Sequence, residues 1–219
     1  MNIFLGFASN MVKPMPRLPR IFFPEAIYHV SARGNDQQIL FVDAQDHRVY
    51  RHLLELAKKT DQLRIFRWTQ MSNHVHFMAQ QINEFGLATA MQRVQAAYAR
   101  YFNKRYGKSG HVWQGRYWAR LLKSNVDLLT CGRYIERNPV EAGMVENPAD
   151  YPWSSCRFYT QGHRNDLIDR DPAFEGLAQT EESRKAAWKL FLETPQDYKK
   201  PKWKLARVLC NPRLSPNRA

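Results

Sequence analysis

Two histidines separated by a single residue, His74 and His76, stand in the run Met71-Ser72-Asn73-His74-Val75-His76-Phe77-Met78. The run reads as a β-strand. Successive strand side chains point to opposite faces, so both imidazoles project the same way and Val75 the other. Two imidazoles so placed can hold one divalent metal ion. Further along, Thr130, Tyr134 and Asn138 lie four apart in a helical stretch. A phenol and an amide oxygen therefore stand one turn apart. In a strongly basic chain such a metal points to chemistry on nucleic acid. A Lewis acid neutralises phosphate charge and helps an oxygen leave. Two neutral imidazoles and an amide oxygen would leave Mg²⁺ or Mn²⁺ its full charge. Tyrosine suits a reaction whose product is kept, because a phosphotyrosine ester conserves the energy of the bond it replaces.

Each signal has a plainer reading. His-x-His alone is weak, and the metallo-hydrolase continuation Asp-His is absent, since Phe77-Met78-Ala79-Gln80 follows. Tyr134 is one of 10 tyrosines, and Asn138 before Pro139 is by default a helix stop. His29, His47, His52, His111 and His163 read as structural or surface residues. The conjunction raises the signal: paired histidines, a later Tyr/Asn helix, and a basic aromatic stretch between them.

That stretch is long. Lys and Arg number 33 against 20 Asp and Glu, a formal charge of +13 that suits a polyanionic partner. From Phe85 to Val126 there is no acid, while Arg93, Arg100, Lys104, Arg105, Arg116, Arg120 and Lys123 alternate with aromatics such as Tyr98, Tyr101, Trp113 and Trp118. Cations grip phosphates and aromatic faces stack on unpaired bases. A second acid-free run spans Tyr198 to Ala219. Cys131, Cys156 and Cys210 are too few and too scattered for a disulfide framework or a zinc site, which fits a reducing cytoplasm. No apolar run approaches the ~18 residues of a membrane span. Residues 1–14 read as a leader ahead of a start at Met15.

The elements that must position these residues follow the order βαββαβ. Ala26–Ser31 predicts a first strand. Asp43 caps a helix from about Ala44 to Lys59, and Leu63–Thr69 predicts a second strand. His74–Gln80 is the third strand, Asn83 opens a helix to about Arg105, and Arg116–Leu122 is the fourth strand. The natural packing is a ferredoxin-like α+β fold, with an antiparallel sheet carrying both helices on one face. Val75, Phe77 and Ala79 then lie under the helices, while His74, His76 and Met78 face the open side. Ser124 and Asp127 open a further helix that Asn138-Pro139 stops. Domain limits of 1–14, 15–160 and 161–219 follow, the last a basic extension with a helix from Glu181 to Glu193.

These motifs resemble those of a known family. Met71-Ser72-Asn73-His74-Val75-His76 is similar to the HUH motif of single-tyrosine transposases. The run from Arg133 to Val145 resembles the tyrosine helix of their REP-associated branch. Met15-Pro16-Arg17-Leu18-Pro19-Arg20, Gly110–Tyr117 and Tyr151–Ser155 match that branch in kind. The likeness covers roughly Met15 to Tyr159. It implies a single-strand-specific DNA endonuclease and strand transferase acting on hairpin-forming palindromic repeats, as monomer or homodimer, through a 5′-phosphotyrosine intermediate. Tyr134 would be the nucleophile, His74 and His76 metal ligands, and Asn138 a third ligand where relatives often carry Gln. Arg17, Arg20 and Trp113, with Arg116, Arg120 and Lys123, are the expected DNA contacts. The rivals are an RRM-like hairpin-binding module that never cuts, an HUH replication initiator or relaxase, for which 219 residues leave little room, and a zinc hydrolase, whose further ligands are not found.

Overall fold

The computed structural model describes residues 23–83 and 86–194. Runs of β-branched and aromatic residues form four strands: β1 (Ile27–Arg33), β2 (Leu63–Gln70), β3 (His74–Gln81) and β4 (Trp118–Leu122). Between them run α1 (Ala44–Thr60) and α2 (Gly86–Tyr106). The strands pair antiparallel throughout, in the order β2-β3-β1-β4. This is the ferredoxin-like arrangement the sequence predicts. Asp43 caps α1 as expected, its carboxylate accepting from the N–H of Gln45 and Asp46 at 2.9 and 3.2 Å. Val75, Phe77 and Ala79 do lie under the helices, packed in one core with Tyr50, Leu54, Leu87, Met91, Val94 and Tyr98. The expected cap at Asn83 abuts residues 84–85, outside the described residues, as are the leader, Arg17, Arg20, Cys210 and the basic tail.

The opposite face of the sheet is not open as expected. The helix α3 (Asn125–Glu141) lies on it. Met78 is fully buried there with Phe66, Leu122, Leu128 and Ile135. The cause is apolar area: this face carries its own hydrophobic patch, and burying it stabilises by roughly 25 cal/mol per Å². Polar side chains of the same face stand beside the cavity described below.

Helix α3 also runs past its expected stop. Pro139 lies inside it and has no N–H to give the carbonyl of Ile135. The hydroxyl of Thr69, on β2, donates to that carbonyl instead at 2.8 Å. The backbone group is satisfied, so the helix continues to Glu141. Gly143, at φ 67°, then ends it, with Gly143 N–H donating to Val140 and Met144 N–H to Pro139.

Three shorter helices follow: α4 (Cys156–Gln161), α5 (Pro172–Glu175) and α6 (Glu181–Glu193). β2 is an edge strand, and the chain between 153 and 169 covers its outer backbone. Ser155 N–H donates to Trp68, Asp169 N–H to Ile65 and Tyr159 OH to Phe66. An edge so occupied cannot recruit a foreign strand. Arg67, wholly buried, lies 3.8 Å from both the Tyr159 and Trp188 ring centroids. It donates to Asp171 at 2.9 Å and to Glu136 of α3 at 3.0 Å. Trp188 donates to the other oxygen of Glu136 at 2.8 Å. Arg133 donates to the carbonyls of Phe191 and Thr194, and Arg137 to that of Leu192, all at 2.7 Å. The C-terminal helices thus hold α3 against the sheet.

Candidate active site

Strand register decides which polar side chains share the α3 face. Ser31 pairs with His76, Arg33 with His74, and Trp118 with Ser31. His74 and His76 project the same way, with ring centroids 4.9 Å apart. Each engages its Nδ1 elsewhere. Asn73 donates its amide N–H to the carbonyl of Gln37 at 3.1 Å, which fixes the amide orientation. Its oxygen then accepts from His74 Nδ1 at 2.7 Å. His74 therefore keeps its Nε2 lone pair. His76 Nδ1 lies 3.0 Å from Nε2 of His29, on β1.

Tyr134 reaches the same place from α3. Its ring stands edge-on to His76 at 5.4 Å and to His29 at 5.7 Å between centroids. It is only 8% exposed, yet it lines a cavity of about 410 Å³. His74, His76 and Asn138 line that cavity too, with Arg33, Arg116 and Trp118. Asn138 donates its amide N–H back to the Tyr134 carbonyl at 2.9 Å. Its oxygen is the atom left for a cation.

The chain from Gln114 to Arg116 forms part of the rim. Asn35 N–H and Gln38 Nε2 donate to Val112, and Gln114 N–H donates to Arg33. Gly115, at φ 135°, takes a conformation that side chains resist. β4 starts at Trp118 rather than Arg116, and Arg116 stands exposed at the cavity. Arg120, paired with His29 in register, is half-exposed and 3.8 Å from Asp127. Lys123 is exposed just before α3. Trp113 is a correction. Its indole is buried among Tyr50 and Tyr98 on the other side of the sheet, and its N–H donates to the carbonyl of Gln95 at 2.8 Å. A ring so packed offers no face to a base.

His29 was missed. In sequence it is a polar residue in a strand, with no spacing to tie it to His76. The signal was its alternation with Tyr28 and Val30, which puts it on the face opposite the core. Two other groups drop out as nucleophiles: burial pushes the Cys131 and Cys156 thiols well up, so neither is a thiolate at neutral pH. Among the described residues no group of three or more His, Cys, Asp or Glu is arranged to hold a metal. A cation here would take two imidazoles and an amide oxygen, a set that suits Mn²⁺ or Mg²⁺ with positions left for phosphate oxygens. Among the described residues no helix is long and apolar enough to cross a membrane.

Comparison with known proteins places the chain among transposases. The family described as "Transposase IS200 like" matches residues 23–138. A protein of Haemophilus influenzae (strain ATCC 51907 / DSM 11121 / KW20 / Rd), described as a REP-associated tyrosine transposase, is 34% identical over 96 residues, 39% of this chain. The match spans about half of that relative, 54% of its length. A solved structure described as a REP-associated tyrosine transposase bound to a REP hairpin aligns with a TM-score of 0.56 at 18% identity. It covers 72% of this chain and 93% of that one, and it shows the shared fold. A structure described as a transposase from Deinococcus radiodurans aligns at a TM-score of 0.39 and 15% identity, over 56% of this chain and 97% of that one, too loosely to carry an argument.

Proposed function

Because the chain belongs to the IS200-like transposase family, a family of DNA-processing enzymes, we propose that it is a metal-dependent, single-strand-specific DNA endonuclease and strand transferase with Tyr134 as nucleophile. One observation carries this reading: the Tyr134 ring stands 5.4 Å from that of His76, in a cavity that His74 and Asn138 also line. The substrate is single-stranded DNA that folds into hairpins at short palindromic repeats, met in the cytoplasm. A solved relative described as bound to a REP hairpin supports this substrate, as do Arg116, Arg120 and Lys123 on and beside β4, three cations for phosphates.

In this reaction the Tyr134 oxygen attacks the scissile phosphorus. The P–O3′ bond breaks, a 5′-phosphotyrosine ester forms, and the departing oxygen leaves as a 3′-hydroxyl, the phenol having lost the proton that balances the one gained. His74, His76 and the Asn138 oxygen would hold Mg²⁺ or Mn²⁺, which when bound neutralises phosphate charge and helps the 3′ oxygen leave. The ester keeps the energy of the original bond, so a 3′-hydroxyl attacking it rejoins a strand without ATP. Phenol and proposed ligands line one cavity within a single protomer, which supports catalysis by one copy of the chain.

The test uses labelled single-stranded DNA from beside the protein's own gene. With Mn²⁺ the protein is expected to yield a denaturant-resistant protein–DNA adduct, and with EDTA none. A hairpin that binds tightly and is never cut under any divalent condition would instead favour a pure binding module.

A further inference from the structure

The strongest unassigned feature beside the cavity is the His29–His76 pair. His29 is 1% exposed, and its Nε2 lies 3.0 Å from Nδ1 of His76, with the rings stacked at 5.1 Å and 25°. A proton on one of these two nitrogens makes the bond, and which one decides whether His76 can ligate. If His29 Nε2 carried it, neutral His76 would accept at Nδ1 and hold its own proton on Nε2, closing that nitrogen to a cation. If His76 Nδ1 carries it, His29 accepts and His76 Nε2 keeps its lone pair. We propose that His29 is a positioning residue that holds His76 as its Nδ1–H tautomer and so readies Nε2 for the metal. The inference rests on the metal reading above.

The neighbouring histidine supports the assignment. His74 reaches the same state through the oxygen of Asn73, which places its proton on Nδ1. Ligating histidines generally donate their other N–H to an oriented acceptor, and losing that acceptor costs affinity. Here the acceptor is a second imidazole where a carboxylate is common. The Tyr134 ring lies edge-on 5.7 Å from His29. A carboxylate in that place would set a negative charge beside a phenol that must ionise, and raise its pKa. A neutral imidazole fixes the tautomer without that penalty.

Two measurements test the proposal. In metal-free wild-type protein in mildly alkaline buffer, ¹⁵N–¹H correlation spectra of the imidazoles are expected to show His76 protonated on Nδ1. A proton on Nε2 overturns the proposal, whatever the variants do. Mn²⁺ affinity, read by the electron paramagnetic resonance signal of free Mn²⁺, is expected to fall about 10- to 100-fold in His29→Phe. That variant keeps ring and volume but loses the acceptor. His29→Gln, whose side-chain oxygen can take the place of Nε2, is expected to regain most of the affinity. Wild-type affinity in a folded His29→Phe protein overturns the positioning role while leaving the metal site intact. Failure of the wild type to bind Mn²⁺ overturns both readings.

Discussion

His74 and His76 differ in what they touch, and their variants should differ too. His74→Ala and His76→Ala are both expected to abolish cleavage. His76→Ala should also cost more stability than His74→Ala. His76 is buried and its loss removes the bond to His29 Nε2, a penalty of about 1–3 kcal/mol. His74 is only half-buried, as is the Asn73 amide it bonds to, so its loss should cost less. Urea denaturation of the two variants reads this directly, and equal losses would contradict it. At this scale the sequence carried much of the cavity: His74, His76, Tyr134 and Asn138 were all legible and all line it. Spacing within one strand or one helix is a local property. His29 and Trp113 were not legible, because each depends on what a strand or helix distant in sequence places opposite it.

The helix that bears Tyr134 shows the same limit. Its Ser124 cap was readable, the Ser124 hydroxyl accepting from Asp127 N–H at 3.1 Å. Its passage through Pro139 was not, because the compensating donor comes from Thr69 in another strand. Thr69→Val keeps shape but leaves the Ile135 carbonyl without that donor, and is expected to cost about 1–3 kcal/mol. In a Pro139→Ala background the helix supplies its own N–H, so the cost of Thr69→Val should shrink markedly. A double-mutant cycle by urea denaturation measures the coupling. A cost independent of residue 139 would show that the hydroxyl serves something else. The edges of β1 to β3 fell within about two residues of expectation, since alternation marks them plainly. The second face did not, because Met78 reads equally well as exposed or covered until α3 is placed.

Across the whole molecule, the C-terminal helices, Arg67 and α3 form one buried assembly. The sequence announced the helix near Glu181–Glu193 but not its partner, since an amphipathic pattern names no receiving surface. Arg67 answers two buried carboxylates, Asp171 and Glu136. Arg67→Met is expected to destabilise by about 3–5 kcal/mol, because it leaves those charges buried and unpaired. A chemical melt within 1 kcal/mol of wild type, roughly the worth of a surface pair, would contradict this. Net charge also acts at this scale. With 33 cations to 20 anions the protein should bind DNA with strong salt dependence. Arg116→Ala, removing an exposed cation at the cavity rim, is expected to lower the log–log salt slope for single-stranded DNA by about 0.7. An unchanged slope would place Arg116 away from phosphate.

The central claim is that the Tyr134 oxygen takes the DNA. Trapping the adduct with a hairpin-bearing single strand and Mn²⁺, digesting both partners, and sequencing the modified peptide by mass spectrometry tests it most directly. A nucleotide joined through its 5′-phosphate to Tyr134, and no adduct with Tyr134→Phe despite nearly unchanged hairpin binding, is the expected result. A nucleotide on any other residue, or an adduct that survives Tyr134→Phe, would contradict the account.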